Sequence, residues 1–297
     1  MSEIVWSQWE NLIVPAGFTR LTPSTCDLES SSLEAITFYV PKYMGGKRAL
    51  EYSKKMTNLK YLQMPNAGFD DALEYVRPGM VLCNARGVHD ASTAELAIGL
   101  AITARRGFAD FAKAQLEGKW IHKRYSSFND SNIAIVGNGS IGKTIEKYLQ
   151  PYDVTVTTFS RSGSNGSKKM LDFDALLPTF DIIFLILPLT SESHHLMNEQ
   201  RLKNMKTGAT LVNVARGPIV DTQALIAELN AGRISASLDV TDPEPLPDGH
   251  PLWSAKNCII SPHVGGDSDA FEPRGKKLVE EQLQRLAEGK PLANIVN

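Results

Sequence analysis

The stretch Ile133-Ala-Ile-Val-Gly137-Asn-Gly139-Ser-Ile-Gly142 runs from four apolar residues straight into glycines spaced G-x-G-x-x-G. The apolar run reads as a buried strand. The residues behind it carry Ile141, Ile145 and Leu149 at i, i+4 and i+8, the spacing of one helix face. A glycine fingerprint lodged between strand and helix has a mechanical meaning that a lone match lacks. Gly137 permits the tight turn, Gly139 lets a pyrophosphate approach the main chain, and Gly142 lets helix and strand pack closely. Amides near Ser140 and Ile141 then face the anion at the helix N-terminus. The plain alternative is a glycine-rich turn without a ligand. A second strand at the expected distance argues against it.

Further strands read at 154–160, 181–187, 209–215, 235–240 and 258–261. They are apolar nearly throughout, as parallel strands covered on both faces are. A helix opened by Asp221 and closed by Gly232 turns Leu225, Ile226 and Leu229 inward. The alternation predicts a doubly wound α/β sheet, with ligands beyond the C-terminal strand ends. Before it, 4–8, 35–40, 60–65 and 81–85 read as strands of a smaller α/β unit. Ser92-Thr-Ala-Glu95 reads as a capping box opening a helix to about Arg106. That helix is apolar on most sides, so it belongs inside the protein or a dimer. Residues 117–131 read as a polar connection, 162–169 as a polar loop, and 272–288 as a C-terminal helix with one apolar face.

The 297 residues suggest two domains. Lys plus Arg number 31 against 33 Asp plus Glu, a net charge of −2 that disfavours a nucleic-acid partner. An apolar content of 42% is ample for a core and argues against disorder. The apolar run 182–187 ends at Pro188, far short of the ~20 residues that span a bilayer. The start, MSEIVWSQW, lacks the pattern of a signal peptide. Three scattered cysteines fit a reduced compartment, so the expectation is a cytoplasmic protein. The histidines and acids show no metal-ligand spacing, and no metal site is expected.

The second strand of the large sheet bears on which dinucleotide is bound. An NAD site usually ends this strand with an acid that accepts from the ribose hydroxyls. Here Ser160 stands in that place, followed by Arg161 and Ser162. A hydroxyl does not repel a 2′-phosphate and a guanidinium binds one, so NADP is expected, with NAD as the alternative if Arg161 is a solvated surface residue. Lys168 and Lys169 read as surface lysines. Three groups follow the last long strands: Arg216, Glu244 and His263. Arg216 suits a substrate carboxylate, His263 proton transfer to an oxygen, and Glu244 the other ring nitrogen of His263. Each taken alone is more readily a surface or turn residue. Their coincidence at neighbouring strand ends favours a catalytic constellation.

With GNGSIG at 137–142, LPLTSES at 187–193, LVNVARGPIVD at 211–221, SLDVTDPEPLPDGHPLW at 237–253, SPHVGG at 261–266 and EGKPLANIVN at 288–297, the chain resembles the D-isomer-specific 2-hydroxyacid dehydrogenases. The resemblance covers residues 60–297. It implies a Rossmann-type sheet, residues 91–269, inserted into a smaller flavodoxin-like substrate domain, residues 1–90 and 270–297, with the active site in the interdomain cleft. The family's catalytic arginine, acid and histidine fall on Arg216, Glu244 and His263. Its substrate-carboxylate loop falls on 66–70, with Ala67 and Gly68 as contacts. Leu187, Pro188, Val214, Ala215, Asp239 and Gly265 are implied cofactor contacts, Asp239 near the nicotinamide carboxamide. A homodimer through the helix at 92–106 is implied too. Within the family, SRS and LDVTDPEPLP look most like NADPH-dependent glyoxylate and hydroxypyruvate reductases. The substrate expected is a small 2-keto acid. Formate or phosphite dehydrogenases of the same fold are rivals, though formate enzymes carry glutamine where Glu244 stands. A dinucleotide-sensing corepressor on this fold is the rival of another class.

Overall fold

The computed structural model describes residues 3–164 and 166–297. The chain divides into two compact units, Met1–His89 with Asp269–Asn297, and Asp90–Ser268.

The first unit holds strands β1 (Ile4–Trp6), β2 (Thr19–Leu21), β3 (Phe38–Tyr39), β4 (Tyr61–Gln63) and β5 (Val81–Cys83), with helices α1 (Gly46–Glu51) and α8 (Phe271–Ala287). The sheet is parallel in the order β2-β1-β3-β4-β5, the flavodoxin-like arrangement. α8 turns Val279 and Leu283 into a core shared with Val5, Phe38 and Cys83. The C-terminal tail returns to β5, where the Val296 amide donates to the Leu82 carbonyl at 3.0 Å. β2 has no apolar run and is absent from the sequence reading; two of its three residues are exposed.

The second unit holds α2 (Asp90–Arg106), α3 (Phe108–Leu116), β6 (Asn132–Val136), α4 (Ser140–Leu149), β7 (Thr155–Ser160), β8 (Lys168–Lys169), α5 (Phe173–Leu176), β9 (Ile182–Leu185), α6 (Glu199–Asn204), β10 (Thr210–Asn213), α7 (Thr222–Asn230), β11 (Ser235–Leu238) and β12 (Cys258–Ile260). Its sheet is parallel throughout, in the order β12-β11-β10-β9-β6-β7-β8. That is the Rossmann order, with the switch point between β6 and β9. Alternate side chains of the central strands feed opposite cores. Ala134, Val136, Ile183 and Leu185 enter one; Ile133, Ile135, Ile182 and Phe184 enter the other. Burial on both faces explains why these strands read as unbroken apolar runs. Full burial of such a side chain contributes about 1.5–3 kcal/mol.

Two readings need correction, and one helix escapes the sequence reading. α2 begins at Asp90 rather than after a cap at Ser92, whose hydroxyl meets that of Ser268 at 2.8 Å. α3 lies between the helix read to about Arg106 and the connection read at 117–131, a stretch without a reading of its own, and starts after Gly107 in the left-handed region, φ 69°. The polar loop at 162–169 ends in a strand: Lys168 and Lys169 pair with Phe159 and Ser160 of β7.

Candidate active site

The glycine turn between β6 and α4 is closed at both ends and open in the middle. A Cβ on Gly137, φ 120°, would meet the Ile186 carbonyl oxygen at 2.1 Å. One on Gly142 would meet the Gly137 carbonyl oxygen at 2.0 Å. At Gly139 no described atom lies within 4 Å of that position, and no side chain caps α4 there. Backbone therefore approaches backbone at the first and third glycines, while the second leaves space in front of a helix N-terminus. An anionic linker fits that combination. The Ser140 hydroxyl donates to Asp90 at 3.2 Å and is held back against α2; Ile141 packs into the core beside it.

At the end of β7, the Ser160 hydroxyl accepts from the Gly163 amide at 3.0 Å and meets the Ser167 hydroxyl at 2.7 Å. The Ser162 hydroxyl meets that of Ser164 at 2.9 Å. Arg161 stands free of the loop, its side chain 85% exposed, with Nη1 3.6 Å from an oxygen of Glu192. No acid occupies the strand end. The loops holding Leu187 and Pro188 after β9, and Val214 and Ala215 after β10, open from the same edge of the parallel sheet.

The loops after β10, β11 and β12 interlock. Gly217 follows Arg216 because nothing larger fits: its Cβ would lie 1.9 Å from the Thr241 carbonyl oxygen. The Thr241 amide donates to Glu244 Oε2 at 3.4 Å. Glu244 Oε1 lies 2.5 Å from His263 Nδ1. His263 itself takes a left-handed conformation, φ 55°, unusual for a residue with a side chain. Asp239 holds that turn. Its buried carboxylate accepts from the Ser261 hydroxyl at 2.7 Å and from the amides of Val264 and Gly265 at 2.9 Å each, and its carbonyl accepts from the His263 amide at 2.8 Å. Asp239 reads from sequence only as a cofactor neighbour; no local pattern announces these bonds, because they depend on the shape of a turn more than twenty residues downstream.

Electrostatics ties the three groups together. The hydrogen bond that His263 donates to Glu244 raises the His263 pKa above its ordinary value, burial and the charge of Arg216 opposing it. Burial pushes Glu244 upward, but its hydrogen bond and charge interaction with His263 prevail and hold the carboxyl below its ordinary range. The pairing thus stabilises the imidazolium–carboxylate form. Arg216 brings a second positive charge into reach of both, while its Nη1 donates to the Ala215 carbonyl at 2.7 Å. A carboxylate, a proton carrier and a guanidinium so arranged can bind an anion and move a proton at its neighbouring atom.

In the first unit, residues 66–70 follow β4 as a partly exposed loop. Asn84 Nδ2 donates to the Ala67 carbonyl at 2.8 Å, and the Ala85 amide donates to the Asn66 carbonyl at 2.8 Å. The carbonyls of Asn66 and Ala67 are therefore held from the loop after β5. A cavity of about 730 Å³ lies at the opposite end of the second sheet, against Thr210, Ser235 and Cys258 at the starts of β10, β11 and β12. It shares no residue with the strand-end groups. Among the described residues, no group of three or more His, Cys, Asp or Glu could hold a metal ion, and no helix is long and apolar enough to cross a membrane.

Comparison with known proteins bears on the family and the fold. Residues 98–265 match the family model of the D-isomer specific 2-hydroxyacid dehydrogenase, NAD binding domain. A glyoxylate reductase of Thermofilum pendens is 32% identical over 256 residues, covering 81% of this chain and 75% of its own. A D-3-phosphoglycerate dehydrogenase of Archaeoglobus fulgidus is 30% identical over 282 residues, 90% of this chain and 54% of its own. A solved D-isomer specific 2-hydroxyacid dehydrogenase family protein of Aeromonas salmonicida superposes with a TM-score of 0.86 at 26% identity, covering 100% of this chain and 98% of that one. With its Rossmann-ordered sheet and its matches at both levels, this chain belongs to the D-isomer-specific 2-hydroxyacid dehydrogenases, oxidoreductases that work with a nicotinamide cofactor.

Proposed function

We propose that the protein reduces a small 2-keto acid of the glyoxylate or hydroxypyruvate kind to the D-2-hydroxy acid with NADPH, and runs the reverse reaction. The observation that carries this reading is the His263–Glu244 pair at 2.5 Å with Arg216 in electrostatic reach. The glycine turn fits a dinucleotide, since only Gly139 leaves room before α4. Its amides would hold the pyrophosphate. Ser160, Arg161 and Ser162 would take the adenosine end, and Leu187, Pro188, Val214, Ala215, Asp239 and Gly265 the nicotinamide half. When bound, that cofactor supplies the hydride.

The chain's own residues do the rest. Arg216 binds the substrate carboxylate through its planar fork. Ala67 and Gly68 are proposed as further carboxylate contacts on the family resemblance. His263, charged, gives the proton on Nε2 to the keto oxygen as the alkoxide develops. Glu244 keeps the proton on Nδ1 and stabilises the imidazolium before transfer. Asp239 fixes the turn that aims the ring. Reduction needs charged His263, so it falls as pH rises through that residue's raised pKa. Oxidation needs the neutral ring and shows the opposite slope.

The test is a panel of glyoxylate, hydroxypyruvate, pyruvate, oxaloacetate, phenylpyruvate and 3-phosphohydroxypyruvate, each with NADPH and NADH. The highest kcat/KM is expected for one of the first two with NADPH. A clear maximum on another acid overturns the substrate, and a maximum with NADH overturns the cofactor. Tight cofactor binding without turnover on any acid would favour a sensor.

A homodimer through α2 and the segment behind it is also proposed. Behind α2, α3 and the chain after it leave Phe108, Phe111, Leu116 and Trp120 exposed, Leu116 at 90% and Trp120 at 98%. A second copy would remove that apolar surface from water. Light scattering in line with gel filtration checks it, and a monomer mass at micromolar concentration would refute it.

A further inference from the structure

We propose that Lys169 is a second cation for the 2′-phosphate of the adenosine ribose, placed there by the short edge strand β8. The inference rests on the NADPH reading above and names a residue that reading lacked.

From sequence, Lys168 and Lys169 are two lysines in a polar loop. The structure makes them a strand. Lys169 is the register partner of Ser160, the residue that stands where an NAD site would carry its acid. β7 and β8 are parallel, so both residues lie at C-terminal strand ends, the edge on which ligands of this fold bind. The aliphatic stem of Lys169 lies over Gly163: a Cβ built on that glycine would come within 2.7 Å of Lys169 Cγ. Gly163 in turn donates its amide to the Ser160 hydroxyl at 3.0 Å. Stem, glycine and serine thus form one small surface. Gly163 is in the left-handed region, φ 70°, so a larger residue would be strained there as well as obstruct the stem.

Charge bookkeeping points the same way. Arg161 has Nη1 3.6 Å from Glu192, so the first cation shares its field with a carboxylate. Lys169 makes no ion pair among the described residues and is exposed. A phosphate carrying close to two negative charges at neutral pH is better balanced by two cations than by one. Lys168 cannot serve equally, since successive strand residues point to opposite faces.

The experiment measures binding without turnover. The probes are 2′,5′-ADP and 5′-ADP, titrated calorimetrically into the full-length protein at fixed salt. Wild type is expected to prefer 2′,5′-ADP. Lys169→Ala should weaken 2′,5′-ADP about fivefold, the range of an exposed ion pair, and leave 5′-ADP unchanged. Lys168→Ala should leave both unchanged. Lys169→Arg should retain the preference. A preference left undiminished by Lys169→Ala overturns the role of the lysine while the NADPH reading stands. Equal binding of the two probes by wild type overturns that reading and this inference together. Equal loss from both lysine variants shows a diffuse field rather than a site and also overturns it.

Discussion

The second unit's sheet treats its two ends differently. Past β11 and β12 the polar groups are tied down. Asp239 is 3% exposed and its carboxylate accepts three hydrogen bonds, His263 sits in a left-handed turn, and its ring is held by Glu244. Past β7 and β8 the serines bond to their own loop while Arg161 projects into solvent, 85% exposed. Moving a proton demands a donor held in place, because a misplaced ring loses the transition state. Choosing between a hydroxyl and a phosphate demands only charge of the right sign nearby. Substitutions at the first end should therefore cost rate, and substitutions at the second should change preference with little loss of rate.

The largest break in that contrast comes from His263→Ala. Keto-acid reduction is expected to slow by about 10²–10⁴, the usual worth of a positioned general acid, with NADPH affinity unchanged. Near-normal kcat in stopped-flow assays would remove His263 from the chemistry. Arg216→Lys comes next. A point charge cannot reproduce the planar fork, so kcat/KM should fall by about 10–100-fold, mainly through KM. An unchanged KM would separate Arg216 from the substrate carboxylate. Glu244→Gln sharpens the comparison through pH. Glu244 is the main cause of the raised His263 pKa, so its neutral replacement should move the alkaline fall of reduction to lower pH. The same variant should move the rise of hydroxy-acid oxidation to lower pH. A pH–rate profile that keeps its midpoint would show that the 2.5 Å contact does not govern the proton.

The same division explains what could be read from residues alone. β9 and β10 are fully buried, as is β6 beyond Asn132, and their residue types record that burial directly. α7 announces itself because Asp221 caps it locally, accepting from the Ala224 amide at 3.0 Å. β8 is only two exposed lysines; what makes it a strand is its pairing with β7, which no periodicity records. α3 is hidden for a related reason, since Ala114 is its one buried residue. The supposed cap at Ser92 fails because α2 has already begun at Asp90, and the Ser92 hydroxyl meets that of Ser268, far along the chain. The role of Asp239 escapes in the same way. From the family resemblance it is only a cofactor neighbour, yet in the fold it serves as the anchor of the His263 turn. Signals carried by burial or by neighbours within one turn survive in sequence; signals carried by long-range hydrogen bonds do not.

The smallest effect is expected at the exposed end, from Ser160→Asp. The new carboxylate would stand where an NAD site has its acid. It would accept from the ribose hydroxyls of NADH and repel the 2′-phosphate of NADPH. Screening by solvent limits that repulsion, so the NADPH/NADH ratio of kcat/KM should fall about five- to tenfold. The ratio should fall less at high salt, because the opposed charges are solvent-exposed. Gly163 now donates to the Ser160 hydroxyl at 3.0 Å, and a carboxylate can accept the same bond, so the loop keeps its anchor. Maximal rate with NADH should therefore stay near wild type. A ratio that ignores the substitution at both low and high salt would place the 2′-phosphate elsewhere. A lost kcat with both cofactors would mean that the two ends of the sheet are not separable after all.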